Sequence, residues 1–219
     1  MGKEKNKVIS RPHLILCEGE DTTQFAICYL EHLQKRDTIF ESFVAVDFGG
    51  NEELSIFLSD LQQYPGFDIV ESMIIIRDSE ADHNSAIQSV KSALAKSEFP
   101  VPAEPNTIAQ NNAIKVAFSL FPSLSKSDRR GTLEDLIIEN LMEDRVESLL
   151  HDIYLFLEDL KSNGRDFKWP HKTKLHTYFS VTDNFVSNKI GQAVKAGAFN
   201  YECSEMNSLK ELLRNIALK

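Results

Sequence analysis

Four short apolar runs, separated by helical patterns, constrain the fold of this 219-residue chain more than any other feature of its sequence. The runs cover residues 13–17, 43–48, 72–77 and 115–121. Short and nearly continuous apolar runs are typical of strands that are buried on both faces, as in a parallel sheet. Strands that alternate with helices predict βαβ units with right-handed crossovers. We therefore predict an α/β fold with a mostly parallel sheet flanked by helices.

Apolar residues at helical spacing predict the helices between these strands. In residues 54–61 they recur at i, i+3, i+4 and i+7, and Ile87, Val90 and Leu94 form a similar face after the third strand. We expect the first helix to begin with a capping box at residues 21–24. Residues 99–112 contain three prolines and are predicted to form a loop.

The chain divides into three predicted segments. Residues 1–11 form a polar tail, residues 12–142 an α/β core, and residues 143–219 a helical region. The helical pattern of the last part is broken near Asn163-Gly164 and Trp169-Pro170, because glycine and proline favour turns of the chain. We expect this helical region to pack on the core as an elaboration of it.

Composition predicts a cytoplasmic protein that does not enter a membrane. The fractions of hydrophobic residues (42%) and charged residues (26%) are ordinary for a soluble globular protein. No apolar stretch approaches the roughly 20 residues that are needed to cross a bilayer. The charged N-terminus is not followed by the apolar core of a signal peptide. The three cysteines lie far apart and form no C-x-x-C pair, which predicts reduced thiols and no zinc site.

Charge is distributed unevenly along the chain. The net charge of −9 argues against non-specific adhesion of the whole surface to nucleic acid. Residues 165–195 instead contain six basic and two acidic side chains, a local net charge of +4. Two interpretations of this basic segment stay open: an ordinary solvated face, or a local surface for nucleic acid.

Acidic residues follow two of the predicted strands directly. Glu18 comes at the end of the first run, and Asp78 comes at the end of the third. Ligands of parallel α/β sheets bind beyond the carboxyl ends of the strands, so we expect both carboxylates at one edge of the sheet. Mg2+ prefers oxygen ligands of this kind. The pattern therefore predicts a site for a divalent cation.

These motifs resemble the TOPRIM domain of topoisomerases, primases and related nucleases. The resemblance is carried by Glu18-Gly19 after a buried strand, by the acidic group 78–80 after a later strand, and by Gly49-Gly50 after the strand between them. The TOPRIM family usually has Asp-x-Asp at the later strand, whereas this chain has Asp78-Ser79-Glu80 with Asp82 beyond. Either Glu80 or Asp82 is therefore the second acid of that motif.

The likeness extends to the second half of the chain and covers roughly residues 12–200. Residues 131–136 are similar to the corresponding segment of OLD-family nucleases and of small stand-alone TOPRIM-like proteins. In that family a hydroxyl residue and a glutamate two positions later join the metal cluster, which here points to Glu134. Lys172 and Lys174 resemble the late lysine that those nucleases place near the scissile phosphate.

The resemblance implies a TOPRIM-like, Rossmann-like fold and a nuclease or nuclease-like phosphodiesterase that uses Mg2+ or Mn2+ on DNA or RNA. It also implies an ATPase partner protein in defence or repair, while self-association of the chain is left open. The implied catalytic residues are Glu18, Lys172 and Lys174, with Glu18 as bridging ligand or general acid/base. The implied metal ligands are Glu18, Asp78, Glu80, Asp82 and Glu134.

Several of these residues also have a purely structural interpretation. Asp21 and Asp82 are suited to cap the helices that follow them. Glu134 lies in a predicted first helical turn, where an acid is favoured by the helix dipole. Trp169, directly before Pro170, either packs at the start of a helix or stacks on a base.

Three other functions compete with a nuclease. A catalytically weak TOPRIM-like module would bind metal or nucleic acid and regulate a partner without cutting. A response-regulator receiver also has acids after its first and third strands, but its final strand with a lysine is missing between residues 100 and 130. A Rossmann dinucleotide enzyme is disfavoured because the first turn lacks G-x-G-x-x-G.

Overall fold

A computed structural model of the protein describes residues 8–122, 130–142, 146–182, 185 and 189–218. Within these residues one sheet of five strands has the order β2-β1-β3-β5-β4. The strands are β1 (His13–Glu18), β2 (Phe43–Gly49), β3 (Ser72–Asp78), β4 (Ala109–Gln110) and β5 (Lys115–Phe121). In this sheet β4, which has two residues, pairs with β5 in an antiparallel sense. The other strand pairs of the sheet, among the described residues, are parallel.

The predicted α/β fold with a mostly parallel sheet is confirmed, and the arrangement is Rossmann-like. The four strands predicted from apolar runs lie within one residue of the observed bounds. Sequence reasoning missed β4, which falls in residues 99–112 that were predicted to be a loop. A receiver needs a fifth parallel strand, and none occurs among the described residues.

Helices cover both faces of the sheet because β1 and β3 are apolar on both sides. The described helices are α1 (Gly19–Gln34), α2 (Leu54–Leu61), α3 (His83–Lys96), α4 (Leu133–Glu139), α5 (Val146–Ser162), α6 (Pro170–Val181), α7 (Ile190–Lys195) and α8 (Ser204–Ala217). Leu14 and Leu16 pack with α2 and α3, whereas Ile15 and Cys17 pack with α1 and the later helices. This alternation follows the two-residue period of a strand.

Helix α1 begins directly after β1, so the predicted capping box at residues 21–24 is wrong. Glu18 is both the last residue of β1 and the N-cap position of α1, and Asp21 is the third residue of the helix. Gly19 has φ of 78°, a backbone conformation that glycine adopts at little cost. This glycine turns the chain from strand to helix without a loop, which leaves the side chain of Asp21 free of a capping role.

The C-terminal region consists of helices that share a core with one face of the sheet. The buried side chains of Leu175, Ile190 and Leu213 belong to the same apolar cluster as Ile15 and Phe25. The predicted breaks are confirmed, since α5 ends at residue 162 and α6 begins at residue 170. A fully buried aliphatic side chain contributes about 1.5–3 kcal/mol, so this shared core ties α6 firmly to the sheet.

The structure also bears on the cysteines and on membrane insertion. Cys17 and Cys28 are buried and Cys203 is partly buried, and all three are free thiols. Among the helices in the described part of the chain, none is both long enough and apolar enough to cross a bilayer.

Candidate functional site

The carboxyl ends of β1 and β3 lie at the point where the strand order of the sheet reverses. The chain leaves β1 for β2 on one side, and leaves β3 for β5 on the other. In open α/β sheets such a reversal opens the crevice in which ligands bind. Glu18 is the last residue of β1 and Asp78 is the last residue of β3, so both flank this crevice.

Glu18 is directed towards the end of β3 by two long-range contacts. Its Oε2 accepts a hydrogen bond from the backbone N–H of Asp78, with a donor–acceptor distance of 3.4 Å. The same oxygen lies 3.5 Å from Nε of Arg77, whose side chain is only 2% exposed. Burial raises the pKa of the Glu18 carboxyl, and the neighbouring Arg77 cation offsets part of that rise. The two predicted site acids are therefore adjacent.

Asp78 connects β3 to the start of α4. Its Oδ1 accepts a hydrogen bond of 2.8 Å from the backbone N–H of Leu133, the first residue of α4. Burial raises the pKa of Asp78 well above its usual range, and the charges of Glu134 and Glu18 raise it further. A cation that approaches Asp78 therefore stabilises the charged form of its carboxyl group.

Glu134 brings a third acid to the same place, together with a lysine from α6. The Glu134 side chain is 3% exposed, and its Oε1 lies 3.1 Å from Nζ of Lys172. Lys172 also forms an ion pair of 3.2 Å with Asp21. Burial lowers the pKa of Lys172, but the two carboxylates more than compensate, so the pKa is raised overall. We call Glu18, Asp78 and Glu134 the acid cluster.

Two members of the acid cluster, Asp78 and Glu134, line a cavity of about 570 Å³, which we call the cleft. The cleft has acidic and basic walls: Asp78, Glu80 and Glu134 line it, as do Arg130, Lys168 and Lys172. Trp169 also lines the cleft, with 57% of its surface exposed.

Glu80 and Asp82, the two alternatives for the second acid of the motif, have different environments. The backbone of Glu80 forms two hydrogen bonds of 2.9 Å with that of Gly131, which places Glu80 at the rim of the cleft. Asp82 is exposed and caps α3, because its Oδ1 accepts from the backbone N–H of Ser85 at 3.1 Å. The structure therefore brings Glu80 towards the acid cluster and leaves Asp82 in a capping role.

Lys172 and Lys174 point to different cavities, although both were predicted to act at the phosphate. Two residues advance about 200° around an α-helix, so the two side chains leave α6 on nearly opposite faces. Lys172 reaches the acid cluster, whereas Lys174 lines a separate cavity with Tyr154 and Leu157. The structure does not bring Lys174 to the acids.

Sequence reasoning missed two contributors to the site. Arg77 was treated as part of an apolar strand, although a buried arginine almost always has an acidic partner, and here that partner is Glu18. The sequence predicts a capping role for Asp21, whereas its carboxylate pairs with Lys172. Asp135, the next residue after Glu134, has a structural role: it accepts from the backbone N–H of Thr132 at 2.9 Å, as in a capping box.

The acid cluster does not form a metal coordination shell as it stands. Within the residues that the structure describes, no three histidine, cysteine, aspartate or glutamate side chains are grouped so that they could hold a metal ion. Protein donors hold the carboxylates instead: Arg77 for Glu18, the Leu133 N–H for Asp78, and Lys172 for Glu134. The cluster has the oxygen donors that Mg2+ prefers, but their side chains must rotate before they can converge on one ion.

Comparisons with known proteins identify one family. Residues 12–218 match the model of a family described as "Protein of unknown function (DUF3226)". Neither the comparison with curated proteins nor the comparison with solved structures finds a match.

Proposed function

The chain belongs to the DUF3226 family, and we propose that it is a Mg2+-dependent nuclease, or a nuclease-like phosphodiesterase, that acts on DNA or RNA. The observation that carries the proposal is the convergence of Glu18 and Asp78 at the crevice of the sheet, with Glu134 beside them. These acids come from three elements that are distant in sequence. The kinship with TOPRIM proteins is part of the same proposal and rests on the motifs at these positions.

The electrostatics of the acid cluster support a requirement for a cation. Three largely buried carboxylates face two basic side chains, Arg77 and Lys172. The raised pKa values of Asp78 and Glu18 reflect burial that their protein partners do not fully offset. A divalent cation would supply the missing positive charge, and Mg2+ or Mn2+ suits carboxylate ligands.

The acid cluster supplies the residues that would hold this ion. Glu18, Asp78 and Glu134 are the candidate ligands, and Glu80 stands at the rim of the cleft as a fourth. When bound, such ions stabilise the charge that develops on the attacking and leaving oxygens of a phosphodiester. Binding requires Glu134 to exchange its contact with Lys172 for the ion.

The protein residues around the acid cluster have separable roles in this proposal. A raised pKa brings Glu18 closer to the range in which a carboxylate exchanges protons with an attacking water. Arg77 orients Glu18 and does not reach the substrate. Lys172, released from Glu134, donates to a phosphate oxygen and stabilises the negative charge there.

A cleavage assay with defined substrates tests the proposal. Plasmid, linear duplex and single-stranded DNA and RNA are incubated with the protein in Mg2+, in Mn2+ and in a chelator. We expect metal-dependent cleavage by the wild type and its loss in Glu18→Ala. Cleavage that survives Glu18→Ala would remove Glu18 from the proposed site, and absence of cleavage on every substrate in both metals would reject the nuclease.

One observation favours a second function, a regulatory module that binds nucleic acid without cutting it. Lys172 already places a positive charge 3.1 Å from Glu134, so part of the acid cluster is neutralised by the protein itself. Such a module would bind nucleic acid equally well in a chelator. Metal-dependent cleavage that is lost in Asp78→Ala would exclude it.

The resemblance to stand-alone TOPRIM-like proteins extends the proposal to partners and location. We propose that the chain works with an ATPase partner protein in defence or repair, and we leave self-association open. A cytoplasmic location is part of the proposal and is supported by the three free thiols. Co-purification of an ATPase with the tagged chain from its native host would test the partnership.

A further inference from the structure

The chain has a single tryptophan, Trp169, and the structure leaves its ring largely exposed. Trp169 is the N-cap residue of α6, and 57% of its surface is accessible. Large aromatic side chains usually contribute to stability by burial, and a ring that remains this open contributes little. Packing at the start of a helix, one of the two interpretations of Trp169 from the sequence, is therefore not its main role.

Trp169 lies where two cavities meet. It lines the cleft together with Asp78, Glu134 and Lys172. It also lines a second cavity that runs along α6, where Lys168 and Thr173 are among its neighbours. A ligand that extends along α6 into the acid cluster must pass this ring.

Basic side chains lie close to Trp169. Nζ of Lys168 lies 5.2 Å from the centre of the indole ring, within the range of a cation–π contact. Lys172 follows one helical turn later, and Arg130 also lines the cleft. Aromatic rings interleaved with basic side chains are typical of surfaces that bind single-stranded nucleic acid, because bases stack on the rings while cations neutralise phosphates.

We propose that Trp169 is a stacking platform for an unpaired nucleobase, and that it directs single-stranded DNA or RNA into the cleft. The choice of ligand rests on the proposed function, whose site Trp169 adjoins. A base inside a duplex has both of its faces covered by neighbouring base pairs, so only an unpaired or terminal base can stack on the ring. The substrate of the proposed nuclease is accordingly a single strand, an overhang or a frayed end.

Fluorescence gives a direct measurement, because Trp169 is the single tryptophan and selective excitation of the indole reports on it alone. The protein is titrated in a chelator with an oligothymidylate, with an abasic phosphodiester of the same length and with a duplex. We expect saturable quenching by the oligothymidylate, and much weaker quenching by the abasic strand and the duplex. Equal quenching by the abasic strand would overturn the proposal, since it would show a response to phosphates without stacking.

Variants separate stacking from general binding. Trp169→Ala is expected to weaken binding of a labelled single strand by about 5- to 150-fold, the effect of losing one stacked base. Trp169→Phe keeps an aromatic face and should retain most of the affinity. Phe156→Ala removes a ring of α5 that is similarly exposed (54%) and should leave the affinity unchanged. Circular dichroism checks that each variant is folded.

The outcomes distinguish this inference from the proposed function. Base-dependent binding through Trp169 without any cleavage would keep the platform and reject the nuclease. Cleavage of single strands with full affinity in Trp169→Ala would keep the nuclease and reject the platform. A change of emission that depends on protein concentration, with no response to the oligothymidylate, would assign the ring to a contact between copies and would also reject the platform.

Discussion

Two groups of acidic residues follow the parallel strands, and they differ in where their hydrogen-bond donors come from. At the end of β2, Asp47 accepts from the N–H of Gly49, and in the turn that follows, Glu53 accepts from the N–H of Gly50. These donors lie two or three residues away, so a local turn accounts for both contacts. In the acid cluster the donors come from other elements, as the bond between Asp78 and Leu133 shows.

This difference separates acids that stabilise a turn from the acids of the candidate site. A side chain that caps a nearby N–H is explained by local structure, and Asp82 belongs to that group. A buried acid that is held by distant elements costs free energy to bury, and local structure alone does not account for it. Perturbed pKa values of such acids are associated with functional sites, which is the situation of Asp78.

The largest expected effect compares two aspartates that follow the same strand. Asp78→Asn should lower metal-dependent cleavage by roughly 100- to 1,000-fold, because in the proposed mechanism it removes a ligand of the cation that stabilises the transition state. Asp82→Asn should change the rate little, since asparagine caps a helix about as well as aspartate. The measurement is the initial rate on a labelled single strand. Equal losses in both variants would break the distinction between the two groups of acids.

A second expected effect concerns the two lysines of α6 and the stability of the fold. Lys172→Met should lower the free energy of unfolding by about 1–3 kcal/mol, because it leaves the buried Glu134 without its partner. Adding Glu134→Gln should restore part of that loss, since a neutral amide is less costly to bury. Lys174→Met is the matched control and should stay within about 0.5 kcal/mol of the wild type. Urea unfolding in a chelator gives all four values. Equal losses of unfolding free energy in Lys172→Met and Lys174→Met would show that the contact between Lys172 and Glu134 does not stabilise the fold.

A smaller effect is expected in the pH dependence of stability without metal. Burial raises the pKa values of Asp78 and Glu18 in the folded state, so the folded protein binds more protons than the unfolded chain above about pH 4. The contribution of these two carboxyl groups to the stability of the folded state is therefore most favourable at low pH. It is lost as the pH rises through their pKa values in the folded state. Asp78→Asn should make the free energy of unfolding less dependent on pH, and should raise it by roughly 0.5–2 kcal/mol at pH 7.

The measurement for this effect is urea unfolding at several pH values between 4 and 8 in a chelator. If Asp78→Asn instead lowers the free energy of unfolding at pH 7, the charged Asp78 stabilises the fold. That result would contradict a raised pKa of Asp78 in the folded state. Asp60→Asn, an exposed acid of α2, serves as the control and should leave the pH dependence unchanged.

The sequence predicts the sheet and the convergence of two acids well, for a physical reason. Apolar runs buried on both faces leave few alternatives to parallel strands, and parallel strands bring their carboxyl ends to one edge. Glu18 and Asp78 are therefore placed by topology alone, without knowledge of side-chain contacts. The participation of Glu134 is different, because it depends on the path of the chain after β5 and was inferred only from resemblance.

Details set by helix phase and turn geometry could not be predicted in the same way. The sequence shows that Lys172 and Lys174 leave α6 on opposite faces, but which face meets the acids depends on how α6 packs. The start of α1 was misplaced because Gly19 permits a strand-to-helix turn without a loop. Arg77 went unrecognised because its partner, Glu18, lies on a neighbouring strand rather than nearby in the sequence.

Binding of Mn2+ tests most directly whether the acid cluster is a single cation site. Free Mn2+ is followed by electron paramagnetic resonance during titration of the wild type, Glu18→Gln, Asp78→Asn and Asp82→Asn. The account expects saturable binding by the wild type and by Asp82→Asn, and its loss in Glu18→Gln and Asp78→Asn. Equal binding by all four proteins, or no binding by the wild type, would contradict it.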